Sequence, residues 1–168
     1  MRYWRMMMRY GEGGPDIFPD CKQRGIAALD FYWGEGQRKR VVEDCTKLSD
    51  DDYLKNWRSR ALHKSGRRNS LWILWKEMKI DDVIYVKTGP WIVGKGSIIG
   101  EYEFDPDILK GTMGSKWGQF VRVEWINDFI KFKFKFRAQR FIIREIIEPE
   151  LQRFLDAERA SGAKLNTQ

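Results

Sequence analysis

A chain of 168 residues is long enough to bury a real core as one domain without disulfide or metal staples. With 42 % hydrophobic and 33 % charged residues it is composed as a folded globule rather than a disordered segment, and no apolar run approaches the ~18 residues of a membrane span. The formal net charge of +7 and pI near 9.4 favour a polyanionic partner. In chain order, residues 2–10 are predicted as a strand ending in the glycine turn GEGGP. DIFPDCKQRG follows as a short helical or irregular connection closed by Gly25. IAALDFYW is predicted as a strand ending in Phe31, Tyr32 and Trp33, and GEGQRKR as a turn. Residues 41–62 form a polar, helical stretch in which the acidic run Ser49 to Asp52 caps a helix carrying Tyr53, Trp57 and Arg58.

HKSGRRNS is a basic loop. SLWILWKEM places Leu71, Leu74, Trp75 and Met78 at the spacing of an amphipathic helix. IDDVIYVK and WIVGKGSIIGEYEF are two strands joined by TGP, with Asp81 and Asp82 as turn residues before the first. The loop 105–116 leads into the strand QFVRVEWI. FIKFKFKFR alternates, with Phe132, Phe134 and Phe136 on one face and Lys131, Lys133, Lys135 and Arg137 on the other. EPELQRFLDAERASG is a helix with Pro149 in its first turn and Gly162 past its end. The expected architecture is α+β: a curved mixed sheet or small β-barrel flanked by helices, in a single domain over 1–160 with 161–168 as tail or linker.

Most catalytic patterns are missing. Cys21 and Cys45 are the only cysteines and His63 the only histidine, so there is no metal-ligand spacing and no Cys–His nucleophile pair. Two isolated thiols suit a reducing cytoplasm. GKGSIIG spaces Gly94, Gly96 and Gly100 as GxGxxxG before a strand, which fits glycines relieving a tightly curved strand rather than a dinucleotide loop. EMK at Glu77 to Lys79 resembles half of a restriction-nuclease core but falls on a helix. No phosphate loop and no GxSxG occur. The expectation is a binding domain, not an enzyme, with no cofactor and no metal. Eight tryptophans and 14 % aromatic residues exceed what a core of this size requires, which favours surface stacking. Basic side chains interleaved with exposed rings are the footprint of nucleic-acid recognition. The strip Lys131 to Arg137 is one electrostatic candidate, with a solvated amphipathic face as its plain alternative; the flexible loop KSGRRNS is better able to follow a backbone. In GSKWGQ, Trp117 is expected to stand exposed at a loop mouth, with a ring capping the end of the barrel as the plain alternative.

Over residues 2–126 the chain resembles the EVE and YTH-like domains of the PUA superfamily, above all those at the amino terminus of McrB-type restriction proteins. YWRMMMRYGEGGPDIFPDCKQRGIAALDF is similar to their first strand, glycine turn, short helix and GxIAxxW strand. NSLWILWKEMKIDDVIYVKTGPWIVGKGSIIGEYEFD resembles their NxIWxFxxEMKxGDIV segment, and KWGQFVRVEWI the strand after the recognition loop. Asp81 stands where the family has a glycine, and Phe31, with Tyr32 and Trp33 adjoining, where it has a tryptophan.

The resemblance implies a flipped, modified base held in an aromatic cage. It would be walled by Trp117 and one of Phe31, Tyr32 and Trp33. Asp30 would accept from a base amino group, or stand as a plain turn carboxylate, and Trp91 would stack or wedge at a turn tip, or cover the sheet edge. Lys64, Arg67, Arg68 and Asn69 of the basic loop, with Lys95 and Lys116, would contact the nucleic-acid backbone. Trp4, Trp72 and Trp125 are assigned to the core. The expected function is the specificity module of a modification-dependent restriction system. It would bind DNA with a methylated base, adenine ahead of cytosine, and depend on a AAA+ motor and a nuclease elsewhere. The alternatives are an RNA-binding reader of modified nucleotides and an interaction domain with no base pocket.

Overall fold

The computed structural model describes residues 1–8, 16–29, 32–33, 39–40, 44–53, 70–113, 117–137 and 142–163, with the backbone alone at 32–33 and 39–40. The first strand, β1 (Tyr3–Met6), turns Trp4 and Met6 into one core and Tyr3 toward the other face. Helix α1 (Phe18–Gln23) starts where the Asp16 carboxylate accepts from the Phe18 N–H at 3.0 Å and has proline in its first turn. It stops at Gly25, whose φ of +63° is the left-handed conformation that suits a residue without a Cβ. Strand β2 (Ile26–Leu29) follows, buried at every position.

The strand expected to continue through Phe31 to Trp33 instead ends at Leu29. The next pairing, β3 (Tyr32–Trp33) with β4 (Lys39–Arg40), belongs to a separate two-stranded sheet. Part of the segment expected to be a turn is therefore strand. A 3-10 turn (Cys45–Lys47) and α2 (Asp50–Tyr53) come next. The predicted cap is present: the Ser49 hydroxyl accepts from the Asp52 N–H at 3.1 Å and donates to its carboxylate at 2.6 Å.

Helix α3 (Ser70–Trp72) passes directly into a π-helical turn, Ile73–Glu77, closed by Met78 N–H donating to the Ile73 carbonyl. Leu71, Leu74 and Met78 are buried as their spacing requires. The remaining strands are β5 (Val83–Thr88), β6 (Trp91–Phe104), β7 (Gln119–Trp125), β8 (Phe132–Lys133) and β9 (Ile143–Glu145), followed by α4 (Glu150–Ala163). Gly162, expected past the end of the last helix, lies inside it, and Pro149 immediately precedes it.

The main sheet is mixed and seven-stranded, in the order β2-β7-β6-β5-β1-β9, with β8 paired to the start of β6. Only β1 and β5 run parallel. Among the described residues the two ends of this path, β2 and β9, do not pair, so the sheet is open. The α+β class stands. The larger core, with Phe18, Ile26, Leu74 and Trp125, fills the face covered by α1, α2 and α3. The smaller one sets Tyr85 and Ile92 against Phe132, Phe134, Phe136 and Phe154, so α4 and the phenylalanine-rich segment cover the other face. Among the described residues no helix is long and apolar enough to cross a membrane.

Candidate functional site

The helical side of the sheet carries an aromatic cluster. Tyr53 from α2 lies 5.1 Å from the ring of Trp72 and 5.5 Å from Trp75, and those two indoles meet edge to face at 5.9 Å. Trp75 in turn lies 6.3 Å from Tyr102 of β6. The ammonium of Lys76 sits 3.9 Å above the Trp75 ring and pairs with Asp50 at 2.7 Å, which fixes the outer edge of the cluster.

A buried polar chain anchors its inner side. The Cys45 N–H donates to the Tyr102 hydroxyl at 3.2 Å, and that hydroxyl donates to Oε1 of Gln119, itself buried in β7. Burial pushes the phenols of Tyr53 and Tyr102 far above their ordinary range, with the nearby Cys45 thiol adding to it. They stay neutral, so the cluster offers π-faces and hydrogen bonds rather than proton transfer. Among the described residues no group of His, Cys, Asp and Glu could hold a metal ion.

Trp117 enters the same core two residues before Gln119. It is not the exposed loop-mouth ring that its glycine-flanked setting suggested: only 3 % of it is accessible. The Asp105 N–H donates to the Gly118 carbonyl at 3.0 Å, pinning the two ends of the loop together. A Cβ at Gly118 would stand 3.0 Å from the Asp105 carbonyl oxygen and the Phe104 ring. A side chain at 118 would crowd this close approach, and the Trp117 indole that precedes it is buried. Its Nε1–H is buried with no acceptor among the described residues, a donor that proteins rarely leave unmatched.

The other expected site residues divide. Asp30, Phe31, Lys64, Arg67, Arg68, Asn69 and Lys116 lie outside the described residues, and for Tyr32 and Trp33 only the backbone pairing is described. Trp91 is not a free turn-tip ring. It opens β6, half-buried, opposite Lys133, with the ammonium groups of Lys131 and Lys133 at 5.4 and 4.8 Å from its centroid. It stands at the opposite end of β6 from Tyr102. Lys95 is no free phosphate contact either: it pairs with Glu158 of α4 at 2.9 Å and lies over the Tyr85 ring.

Trp4 and Trp125 are core as assigned, and Trp72 packs against that core half-buried. Sequence reasoning passed over Tyr102 and Gln119. Their only signal was alternation within strands, which marks an inward face without saying what that face meets.

An open mixed sheet with an aromatic cluster under its helices thus defines an α+β domain. The chain belongs to the family described as a domain of unknown function (DUF8426), which matches residues 4–140. No curated protein matches it. Among solved structures it is similar to the crystal structure of protein Atu2648 from Agrobacterium tumefaciens, at 14 % identity over 96 % of this chain and 94 % of that one, with a TM-score of 0.46.

Proposed function

We propose that this domain is a modified-base reader of PUA-like, EVE/YTH type that binds DNA and takes a methylated base, adenine ahead of cytosine, into the aromatic cluster. In this reading it serves as the specificity module of a restriction system of McrBC type, with motor and nuclease supplied by other domains or subunits. The observation that carries it is the Trp117 indole N–H, buried without an acceptor among the described residues in the same core that holds Tyr53 and Tyr102. A flat ligand with a ring nitrogen or carbonyl at its edge would satisfy that donor and stack at the same time. A methyl group adds roughly 0.8 kcal/mol of burial, and stacking roughly 1–3 kcal/mol per base. The basic loop with Arg67 and Arg68 would hold the phosphates, positioning the strand without reading it.

The test is a titration of labelled oligonucleotides, unmodified or carrying methyladenine or methylcytosine, against the wild type and Trp117→Phe. Phenylalanine keeps a ring and removes the donor. Affinity for the marked strand should fall roughly fivefold to tenfold, the scale of one buried hydrogen bond of about 1 kcal/mol, with thermal melts confirming that the smaller ring leaves the domain folded. Trp117→Ala is the wrong probe, because truncating so buried a ring costs about 3–5 kcal/mol of stability. Equal wild-type affinity for marked and unmarked strands would overturn the reading, and preference for marked RNA over marked DNA would move it to RNA metabolism.

A further inference from the structure

We propose that the outer face of residues 131–137, together with Trp91, is a second nucleic-acid contact: a track for the phosphate backbone of a single strand, with Trp91 as its stacking ring. Burial of Phe132, Phe134 and Phe136 against α4 fixes the alternation of the segment. Lys131, Lys133, Lys135 and Arg137 are therefore exposed in one line, spaced by two residues of extended chain, about 6.6 Å. None of these four side chains forms an ion pair among the described residues. Lys76, Lys95, Lys110, Arg122 and Arg159 all do. Two of these ammonium groups are held over the Trp91 ring, so an aromatic platform coincides with a row of cations that have no acidic partner among the described residues.

A single file of evenly spaced cations matches a linear polyanion better than the plane of a membrane surface, and the ring beside it suits a base rather than an acyl chain. The track lies on the opposite side of the sheet from the aromatic cluster and at the other end of β6. It is thus separate from the base site, although it rests on the reading of the domain as a nucleic-acid binder.

The experiment measures binding of unmodified, fluorescein-labelled oligothymidine over a range of salt concentrations. It compares the wild type with the triple variant Lys131→Gln/Lys133→Gln/Lys135→Gln and with Trp91→Leu, thermal melts confirming the fold. Each phosphate contact on a single strand contributes about −0.7 to the slope of log K against log salt. The triple variant should therefore lose about 2 from that slope and weaken for marked and unmarked strands alike. Trp91→Leu should weaken binding about tenfold with the slope kept. An unchanged slope in the triple variant overturns the track, as does loss of binding to phosphatidylserine vesicles with oligothymidine binding intact. A wild type that binds no strand of any kind overturns both proposals. The expected slope loss without preference for a methylated base supports the track and sinks the base-reading alone.

Discussion

Asp82 precedes β5 as a turn residue should, yet its side chain is buried and organises three segments. Its carboxylate accepts from the Trp4 indole N–H at 2.8 Å, from the Arg2 N–H at 2.7 Å and from the Lys79 N–H at 3.1 Å. Its neighbour Asp81 has φ of +70°, a conformation that Asp is among the few non-glycine residues to tolerate. Asp82→Ala leaves the Trp4 donor buried without a partner and should cost about 2–4 kcal/mol in a denaturant titration. A loss under about 1 kcal/mol would mean that water takes over the carboxylate's role.

Among the elements, β6 owes its shape to glycines. A Cβ at Gly94 would stand 2.2 Å from the Phe18 ring, and one at Gly96 2.6 Å from Val123. The pairing with β5 slips at Val93, and that with β7 shifts between Ile98 and Tyr102. These irregularities let a 14-residue strand bend around α1. Gly94→Ala should destabilise the domain by about 1–3 kcal/mol, the usual cost of overpacking. Phe18→Leu in the same chain should recover part of the loss, because it removes the ring atoms that the new methyl group meets. If the double variant is less stable than the sum of the two singles, the clash is not the cause. The glycine pattern read as relief within a strand lies inside β6, at positions where a side chain would clash with its neighbours.

Across the whole molecule, both core faces hold ionisable groups that folding keeps neutral. Burial pushes the Cys21 thiol up to about 12, and the Tyr53, Tyr85 and Tyr102 phenols are all raised. For Tyr85 burial acts first, and its hydrogen bond to Glu158 adds to it. An acid whose pKa is raised by folding supports the fold fully below its unfolded value and less as pH rises through the folded one. The melting temperature should thus hold from pH 7 to about 8.5, then fall as the unfolded chain's thiol and phenols ionise, with pKa values of about 8.5 and 10. Native Cys21 should resist thiol reagents at pH 8. Ordinary titration of all six tyrosines near pH 10, with the fold intact, would contradict this account.

What the sequence determined by itself is what short-range chemistry controls. The Ser49 cap, the Gly25 stop, the buried spacing of Leu71, Leu74 and Met78, and the two faces of the phenylalanine segment all follow from periods and turn chemistry within a few residues. Tertiary structure decided the rest through partners far away along the chain. Trp117 is buried in a core assembled from distant segments, and Lys95 pairs with a glutamate 63 residues later. The Cys45–Tyr102–Gln119 chain joins three separate segments. A loop flanked by glycines permits a ring to face either way, and only packing against residues far away along the chain selects one.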